Sequence, residues 1–435
     1  RRLRAFWTVT GRAPQTPAQT PSGLAFEHAH EVADLVDVAH DVARVRVLRD
    51  EPQRLALPAA ADEDPVAAVD YQNQSSTDLK PFFEPRVVAV IGASRERQKI
   101  GSEILHNLLV TNFSGTLVPV HPSAPEIFGL KAYPRITDIP GHVDLAIVVV
   151  PSATVDTVVD DCLEKGVRAI CIISAGFGEC SEAGRARERA IVDKARRRGC
   201  RIIGPNCMGL LNTDPAIALN ATFSPFYPPA GSIAMSTQSG ALGLAILDYA
   251  KKLNIGISTF VSVGNKADVS GNDLLQYWED DPRTSVILLY LESFGNPAKF
   301  STIARRISRR KPIVALKSGR STAGARAAAS HTGALASSDQ FVDALFHQAG
   351  VIRTNTVTEL FDVATLLARQ PLPRGRRVAI LTNAGGPGIL AADACQAHGL
   401  HVCELTDESK AALRALLPPE ASFGNPVDML AAAPA

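Results

Sequence analysis

The pattern of apolar and polar positions becomes regular from Phe82 onward. Short apolar runs rich in β-branched residues, such as RVVAVIGAS (86–94), alternate with segments of helical spacing, such as IGSEILHNLLV (100–110). A continuous apolar run predicts a strand buried on both faces, and apolar residues three and four positions apart predict an amphipathic helix. The alternation of the two predicts an α/β fold whose parallel sheet is covered on both faces.

Each predicted strand in the first part of this region ends in small or polar residues. The endings, in chain order, are GAS, HPS, PSA, SAGF and GPNC. In open α/β sheets, ligands bind at the carboxyl ends of the strands. The pattern therefore predicts a ligand-binding edge.

Two segments further along the chain repeat each other. GSIAMSTQSGALGLAILDYAKKLNIG, from 231, matches RVAILTNAGGPGILAADACQAHGL, from 377, at a shift of about 145 positions. Each is later followed by Gly-Asn-x-x-Asp, at 264–268 and 424–428. The shift aligns Thr237 with Thr382, Gly240 with Gly385 and Gly243 with Gly388. The repeat predicts two related α/β units, each with a Gly-rich turn between a strand and a helix.

Both Gly-rich turns fit an anion site. The residues concerned are Ser239, Gly240, Gly385, Gly386 and Gly388. Such a turn aims free backbone N–H groups and the positive end of a helix at an anion, while glycine permits close approach and Ser239 adds a hydroxyl. A tight turn that needs glycine only for its dihedral angles is the alternative. The two matched copies favour the anion site.

The turn after the first strand, GASRERQKIGSEI, carries Gly92, Ser94, Lys99 and Gly101. It is neither a GxGxxG fingerprint nor a P-loop, because GK[ST] is missing. Its position between a strand and a helix still indicates a phosphate-bearing nucleotide. A turn that binds no ligand is the alternative.

Three further side chains are of types that can take part in catalysis. Glu292 ends the strand 285–292, where its carboxylate would point into a ligand crevice and could orient an imidazole. An exposed strand-end charge is the alternative. His331, in SHTGALA, stands among small residues, and an ordinary loop or helix-cap histidine is the alternative to a functional one. Cys207 has no histidine near it in sequence, which favours a small buried residue over a nucleophile.

Composition limits the function classes. The chain has 435 residues, of which 46% are hydrophobic and 20% charged, and its formal net charge is +1. This length suits about two to four domains. So small a charge offers no field for nucleic acid or an anionic membrane, and no apolar run is long enough to span a bilayer. The seven cysteines are dispersed without a CxxC pair, which argues against a metal site and for the reducing cytoplasm.

Residues 1–80 permit no fold assignment. Pro-rich and Thr-rich pieces lead to an alternating apolar stretch and then to a linker-like segment. The Arg-rich start gives an organelle transit peptide as a weak alternative. The first residue, Arg1, and the last residues, LAAAPA, are expected to be cuts in a longer polypeptide.

Taken together, the ordered motifs resemble those of the acyl-CoA synthetase (NDP-forming) family, also called ADP-forming acetate–CoA ligases, within the succinyl-CoA synthetase superfamily. The resemblance runs from about Phe82 to the last residues. Its motifs are VVAVIGAS with K-x-G, VDLAIVVVP, ISAGFGE, GPNCMG, STQSGALG, VSVGNKADV, LLYLESFGNP, KSGRSTAGARAAASHTGALA, TNAGGPG and GNPVDM.

The resemblance implies three domains. They are a Rossmann-like CoA-binding domain at 81–215, a flavodoxin-like succinyl-CoA synthetase-type domain with the phosphohistidine loop at 216–373, and a second such domain, incomplete, at 374–435. Residues 1–80 stay unassigned.

The resemblance also implies residue roles. His331 corresponds to the histidine that becomes phosphorylated, and Glu292 to the glutamate that steadies the phosphohistidine. The two Gly-rich turns correspond to the amino ends of two facing helices that hold the phosphate. The implied CoA-binding residues are Gly92, Ser94, Lys99, Gly101, Pro122, Val150, Pro151, Ser174, Gly176, Phe177 and Asn206, with Cys207 beside Asn206 where the CoA thiol would approach.

The implied chemistry has three stages. Phosphate attacks an acyl-CoA thioester to give an acyl phosphate and free CoA, His331 takes the phosphoryl group, and the phosphohistidine passes it to ADP; the sequence can also run backward from ATP. ATP or ADP with Mg²⁺ would bind an ATP-grasp module, which no part of this sequence resembles. The expected partner is therefore an ATP-grasp domain or a β-type subunit, in a homo- or hetero-oligomer.

Two other functions stay open on the sequence. Some relatives fuse this core to a GNAT-type protein acetyltransferase, so a regulatory sensor of CoA or acyl-CoA is one alternative, although residues 1–80 carry no GNAT signature. A dehydrogenase-like NAD-binding protein is the other, weakened by the missing GxGxxG.

Overall fold

The computed structural model describes residues 79–321, 323–324, 339–371, 373 and 375–431. Residues 1–78 and His331 lie outside the described residues. Those up to Ala368 belong to one compact unit and those from Arg369 onward to another. Within the described ranges, no helix is long and apolar enough to cross a bilayer, and no group of three or more His, Cys, Asp or Glu side chains could hold a metal ion.

The first sheet has five parallel strands. They are β1 (Val87–Ile91), β2 (Thr116–Val120), β5 (Leu145–Val148), β6 (Ala169–Ile172) and β7 (Arg201–Ile203), with β3 (Glu126–Ile127) and β4 (Leu130–Lys131) forming a separate hairpin. The helices are α1 (Lys80–Phe83), α2 (Ile100–Val110), α3 (Val155–Lys165) and α4 (Glu182–Arg197). The strand order is β2-β1-β5-β6-β7. Every residue of β5 and β6 is buried, as a sheet covered on both faces requires.

The second sheet has seven strands. They are β8 (Gly209–Asn212), β9 (Leu219–Thr222), β10 (Ala230–Thr237), β11 (Ile257–Ser262), β12 (Val286–Leu291), β13 (Ile313–Lys317) and β14 (Ile352–Thr354). The helices are α5 (Gly240–Lys252), α6 (Gly271–Asp280), α7 (Pro297–Ile307), α8 (Asp339–Ala349) and α9 (Val357–Arg369). The strand order is β14-β13-β12-β10-β11-β8-β9. The parallel part, β11-β10-β12-β13-β14, has the flavodoxin order, and β8 and β9 extend it with antiparallel pairing.

One apolar core joins the two sheets. One buried cluster contains Val88 of β1 and Ile104 of α2 together with Val261 of β11 and Trp278 of α6. Polar contacts support this junction, because the buried Asn107 side chain donates to the carbonyls of residues 222 and 224 at 2.8 and 2.7 Å. The first and second sheets therefore form a continuous body around a shared core.

The described part of the second unit is smaller. Its strands are β15 (Arg377–Val378), β16 (Leu381–Thr382), β17 (His401–Val402) and β18 (Val427–Asp428), and its helices are α10 (Gly385–Ala397) and α11 (Asp407–Arg414). β15 pairs in parallel with β17, and β16 with β18. Ala391, Cys395 and Leu400 form its buried cluster. The predicted α/β fold with parallel sheets is confirmed.

Candidate active site

The carboxyl ends of the five parallel strands of the first sheet meet at one edge. The residues predicted there are Gly92 and Ser94 after β1, Lys99 and Gly101 at the start of α2, Pro122 after β2, Val150 and Pro151 after β5, Ser174, Gly176 and Phe177 after β6, and Asn206 after β7. The strand order reverses between β1 and β5, which is where open α/β sheets bind ligands.

Gly92 and Gly101 bring helix α2 against the first strand. Gly92 has a φ of +88°, and a Cβ there would lie 2.1 Å from the carbonyl oxygen of Val149. A Cβ on Gly101 would lie 2.2 Å from the carbonyl oxygen of Gly92. Only glycine fits either position, because each close neighbour is backbone. The pair fixes the amino end of α2 next to the ends of β1 and β5.

Hydrogen bonds join the other loops of this edge. The Ser174 hydroxyl donates to the Val150 carbonyl at 2.5 Å, and the Asn206 N–H donates to the Ser174 carbonyl at 3.0 Å. The Gly92 N–H donates to the Val120 carbonyl at 3.1 Å, and the Val149 N–H donates to the Ile91 carbonyl at 2.8 Å. The loops after β2, β1, β5, β6 and β7 are therefore linked in one continuous rim.

Two predicted residues, Phe177 and Lys99, have surroundings that the sequence did not indicate, whereas Cys207 is as predicted. The ring of Phe177 is fully buried, with the Arg187 guanidinium 5.0 Å from its centroid, so this ring packs the loop rather than facing a ligand. Lys99 is exposed and pairs with the exposed Glu96 at 2.9 Å. Cys207 is buried and donates to the Ile172 carbonyl at 3.2 Å, as expected of a small buried residue.

The strand order of the second sheet reverses between β10 and β12, and the first Gly-rich turn lies there. Ser239 is the N-cap of α5, and its hydroxyl oxygen accepts from the Leu242 N–H at 3.3 Å. The hydroxyl proton remains for donation to a ligand. A Cβ on Gly240 would have only Met208 Cβ near it, at 3.9 Å, so no neighbour in the fold excludes a larger residue at this position.

The turn in the second unit repeats the geometry of the first. The Thr237 hydroxyl accepts from the N–H and donates to the carbonyl of Ser239, at 3.1 and 3.0 Å. The Thr382 hydroxyl does the same with Ala384, at 3.1 and 2.9 Å. Gly243 and Gly388 each lie against the methyl group of their threonine. The internal repeat predicted from the sequence is therefore present in three dimensions.

The two copies differ in their caps. Ser239 caps α5 with its side chain, whereas Ala384 provides no side-chain cap to α10. A Cβ on Gly385 would lie 2.9 Å from a carboxylate oxygen of Asp428, and nothing lies within 4 Å of one on Gly386. The N–H groups of α10 are thus left to backbone contacts or a ligand.

Glu292 follows β12 at the same reversal point, and the side chain of Gln238 fixes its backbone. The Gln238 amide oxygen accepts from the N–H groups of Glu292 and Ser293, both at 2.9 Å. The Gln238 amide nitrogen donates to the Ser293 carbonyl at 2.7 Å. The turn before α5 and the turn after β12 are therefore held together by one buried side chain.

Two lysines lie close to Glu292. Lys266 donates to the Ser293 carbonyl at 2.7 Å and contacts the Ser293 hydroxyl. Burial lowers the pKa of Lys266 to about 8, an effect that the Glu292 carboxylate opposes and the Lys317 charge increases. Burial also lowers the pKa of Lys317. The region around Glu292 is thus a partly dehydrated cluster of one carboxylate and two ammonium groups.

The structure brings Ser239, Gly240 and Glu292 to one place, while His331 lies outside the described residues. Sequence reasoning missed Gln238 and Lys266. The available signal was their place in STQSG and GNKAD, two motifs already noted as parts of the repeat.

Family models match most of the chain from residue 86 onward. A CoA binding domain matches residues 86–213, a succinyl-CoA ligase like flavodoxin domain matches 230–367, and a ligase-CoA domain matches 378–435. These matches agree with the two α/β layers of the first unit and the smaller second unit.

The chain is similar to two archaeal CoA ligases. Over 355 residues the chain is 46% identical to the Pyrococcus furiosus acetate–CoA ligase [ADP-forming] II subunit alpha, covering 82% of this chain and 77% of that one. It is also 46% identical to the Archaeoglobus fulgidus acetate–CoA ligase [ADP-forming] I, over 81% of this chain. The chain spans half the length of that A. fulgidus relative.

A solved structure is also similar to this chain. It is the Ca. Korarchaeum cryptofilum dinucleotide forming acetyl-coenzyme A synthetase 1 in complex with phosphate and ADP, with 43% sequence identity and a TM-score of 0.77. The similarity covers 81% of this chain and 76% of that one. Since the chain is 46% identical to the P. furiosus subunit alpha and covers 77% of it, the chain belongs to the ADP-forming acetate–CoA ligase family.

Proposed function

We propose that this chain carries the CoA-binding and phosphoryl-relay parts of an ADP-forming acyl-CoA ligase, with acetate as the first acyl group to test. The observation that carries the proposal is the arrangement at the second reversal point. There the capped amino end of α5 at Ser239 and Gly240 lies beside Glu292. A helix amino end holds an anion and a carboxylate steadies an imidazole, which are the two needs of a phosphohistidine relay.

The proposed reaction starts with phosphate. A phosphate oxygen attacks the carbonyl carbon of acyl-CoA, the carbon–sulfur bond breaks, and the CoA thiolate leaves and takes up a proton. An imidazole nitrogen of His331 then attacks the phosphorus, and the bond to the acyl oxygen breaks to release the carboxylate. The phosphoryl group finally passes from His331 to an oxygen of the ADP β-phosphate, giving ATP. His331 thus acts as a covalent relay, and oriented N–H groups offset the phosphate charge.

The residues that we assign to CoA are those of the first-sheet edge. Gly92, Gly101, Ser174 and Asn206 fix the backbone of a continuous rim, and the amino end of α2 faces the diphosphate of CoA. Ser94, Lys99, Pro122, Val150, Pro151 and Gly176 complete the set. Phe177 can contribute only its backbone to CoA binding, because its ring is fully buried.

ADP and Mg²⁺ belong, in this proposal, to an ATP-grasp domain or a β-type subunit, since the similar P. furiosus protein is named as a subunit alpha. For the second unit we propose that Gly385, Gly386 and Gly388 form a phosphate-binding helix end. All seven cysteines are free thiols, so we place the reaction in the cytoplasm. The alternative, a CoA sensor fused to a protein acetyltransferase, gains no support from relatives that are named as ligases.

The relay is tested by labelling. The chain is incubated with labelled acetyl phosphate, and separately with labelled ATP and an ATP-grasp subunit of a family member. We expect acid-labile, alkali-stable label on the wild type and at least about a hundredfold less on His331→Ala. Label that persists in His331→Ala, or a wild type that takes up none from either donor, would contradict the proposal.

Gly240→Ala separates anion binding from folding. Because a Cβ at position 240 meets nothing closer than 3.9 Å and alanine favours helices, we expect the free energy of unfolding to stay the same or rise by about 0.5 kcal/mol. The methyl group would still obstruct the phosphate, so labelling by acetyl phosphate should fall about tenfold or more.

The matched control is Gly243→Ala in the same helix. Its Cβ would lie 3.0 Å from the Phe260 ring and 3.3 Å from the Thr237 methyl group, so this variant should lose stability instead. Unchanged labelling in a folded Gly240→Ala protein would remove this turn from the phosphate site.

A further inference from the structure

The Glu292–Ser293 turn is held from two sides by side chains to which no role has been assigned. From the β10 side, Gln238 makes three hydrogen bonds, two to N–H groups and one to a carbonyl. From the β11 side, Lys266 donates to the same Ser293 carbonyl and contacts the Ser293 hydroxyl. The Ser293 carbonyl therefore accepts from both an amide and an ammonium group, and the backbone of Glu292 has little freedom to rotate.

The loop that carries Lys266 is itself fixed to the first sheet. The Asn265 N–H donates to the Pro205 carbonyl at 2.9 Å, and the Ala267 N–H to the Gly204 carbonyl at 3.2 Å. A Cβ on Gly264 would lie 2.3 Å from the carbonyl oxygens of residues 205 and 206. The loop packs so closely on these residues that Lys266 projects from a rigid support.

Asn265 extends this support to the loop after β6. Its side-chain nitrogen donates to the Glu179 carboxylate at 2.5 Å and to the Glu188 carboxylate at 2.9 Å. Glu179 in turn accepts from the N–H of Gly176 at 2.5 Å. Neighbouring residues 265 and 266 therefore contact the first-sheet edge on one side and the Glu292 turn on the other.

We propose that Gln238 and Lys266 are positioning residues that clamp the Glu292–Ser293 turn and so hold the Glu292 carboxylate in the orientation that steadies the phosphohistidine. This inference rests on the proposed phosphohistidine relay and adds to it the groups that orient its glutamate. A carboxylate on a fixed backbone orients an imidazole more tightly than one at a free strand end, since positioning errors of an ångström are costly in catalysis.

The charges around Lys266 give the clamp a pH dependence. Glu292, at the end of β12, and Lys317, at the end of β13, are the charged groups near Lys266. Lys317 in turn lies near Asp339 and Arg353. With the pKa of Lys266 lowered to about 8 by burial, the ammonium group loses its proton as the pH rises through this value. The donation to Ser293 and the attraction to Glu292 then weaken, so the clamp is strongest below about pH 8.

The experiment measures the rate at which acetyl phosphate labels His331 between pH 6 and pH 10, in the full chain and three variants. Lys266→Met removes the charge at similar length, Lys266→Arg keeps a donor that stays protonated, and Gln238→Glu keeps both accepted hydrogen bonds but loses the donated one. We expect the wild-type rate to fall above about pH 8, by up to about tenfold per pH unit. Lys266→Met should be slower by about tenfold or more at pH 7 and lack this fall, whereas Lys266→Arg should extend the plateau to higher pH.

Lys311→Met is the matched control. Lys311 also donates to two backbone carbonyls, those of Trp278 and Asp281, both at 2.6 Å, and burial lowers its pKa too. Lys311→Met should lower the thermal stability but leave the labelling rate and its pH profile unchanged. CoA affinity, measured by calorimetry, should stay within about twofold of the wild type in Lys266→Met and Gln238→Glu, which separates mispositioning from unfolding.

The outcomes are distinct. A wild type that is labelled while Lys266→Met and Gln238→Glu are labelled equally fast overturns the clamp and leaves the relay standing. The same holds if Lys266→Arg and Lys266→Met keep the wild-type fall above pH 8. A wild type that is never labelled overturns the relay and, with it, the clamp.

Discussion

Replacing Asp268 with asparagine is expected to lower the free energy of unfolding by about 3–5 kcal/mol. The Asp268 side chain is fully buried and accepts from Arg196 at 2.7 Å, from Arg201 at 3.0 Å and from the Ile202 N–H at 2.8 Å. Asparagine has nearly the same shape, but its neutral amide would remove the buried charge that both arginines share and turn an NH₂ group toward donors. Arg201 would keep only its 3.4 Å pair with Asp273. Because Asp268 lies two residues from Lys266 in the same loop, labelling of His331 should fall as well.

Chemical unfolding of the two proteins, followed by circular dichroism, measures the difference. Asp248→Asn is the matched control, because Asp248 pairs with Lys252 at 2.7 Å on the surface of a helix. Exposed pairs of this spacing contribute about 0.3–0.5 kcal/mol. Equal losses in the two variants would mean that the Asp268 cluster does not anchor the loop.

The fold was largely predictable because its signals are local. Buried parallel strands need continuous apolar runs, and the predicted strand at 285–292 is observed as Val286–Leu291. The helices begin where Gly-rich turns follow these runs, as at Gly240 and Gly385. The antiparallel strands Gly209–Asn212 and Leu219–Thr222 were not predicted. They are short, β9 pairs with β8, and the pairing of β8 with β11 depends on long-range contacts that no local pattern encodes.

The candidate site was predictable only in part. Ser239, Gly240 and Glu292 could be identified because each ends or follows a strand, and a parallel sheet brings such ends together. Gln238 and Lys266 stand in the motifs STQSG and GNKAD, which marks them as motif residues but does not reveal their contacts. Nothing local distinguishes a lysine that donates to a distant carbonyl from one in solvent. The same limit applies to Asp268, whose two arginine partners lie 67 and 72 positions away in sequence.

The repeat shows which parts of a motif serve the fold and which are free to serve a ligand. Thr237 and Gly243 match Thr382 and Gly388 in their contacts, so these positions build the turn itself. The two asparagines of the Gly-Asn-x-x-Asp repeat differ. Asn425 binds the backbone of residues 378, 380 and 403 within its own unit, whereas Asn265 binds two carboxylates of the first-sheet layer. A shared motif has thus acquired a second use in one copy.

The substitution Gly92→Ala, which adds a single methyl group, is expected to lower the free energy of unfolding strongly. The new Cβ would lie 2.1 Å from the Val149 carbonyl oxygen, and alanine is strained at a φ of +88°. Backbone strain of about 1–2 kcal/mol and overpacking of about 1–3 kcal/mol together give an expected loss of about 2–5 kcal/mol in the free energy of unfolding. The clash with Val149 can be relieved only if β1 and β5 separate at their carboxyl ends. This separation would disrupt the amino end of α2 and weaken CoA binding about tenfold or more.

Gly129→Ala isolates the backbone contribution, because Gly129 has a φ of +80° and nothing lies within 4 Å of its Cβ position. This control should lose only about 1–2 kcal/mol and keep its CoA affinity by calorimetry. The difference between the two variants then measures the contact with Val149 alone. If Gly92→Ala were no less stable than Gly129→Ala and bound CoA as tightly, the close approach of β1 to β5 would not define the binding edge, and the assignment of CoA to this rim would have to be abandoned.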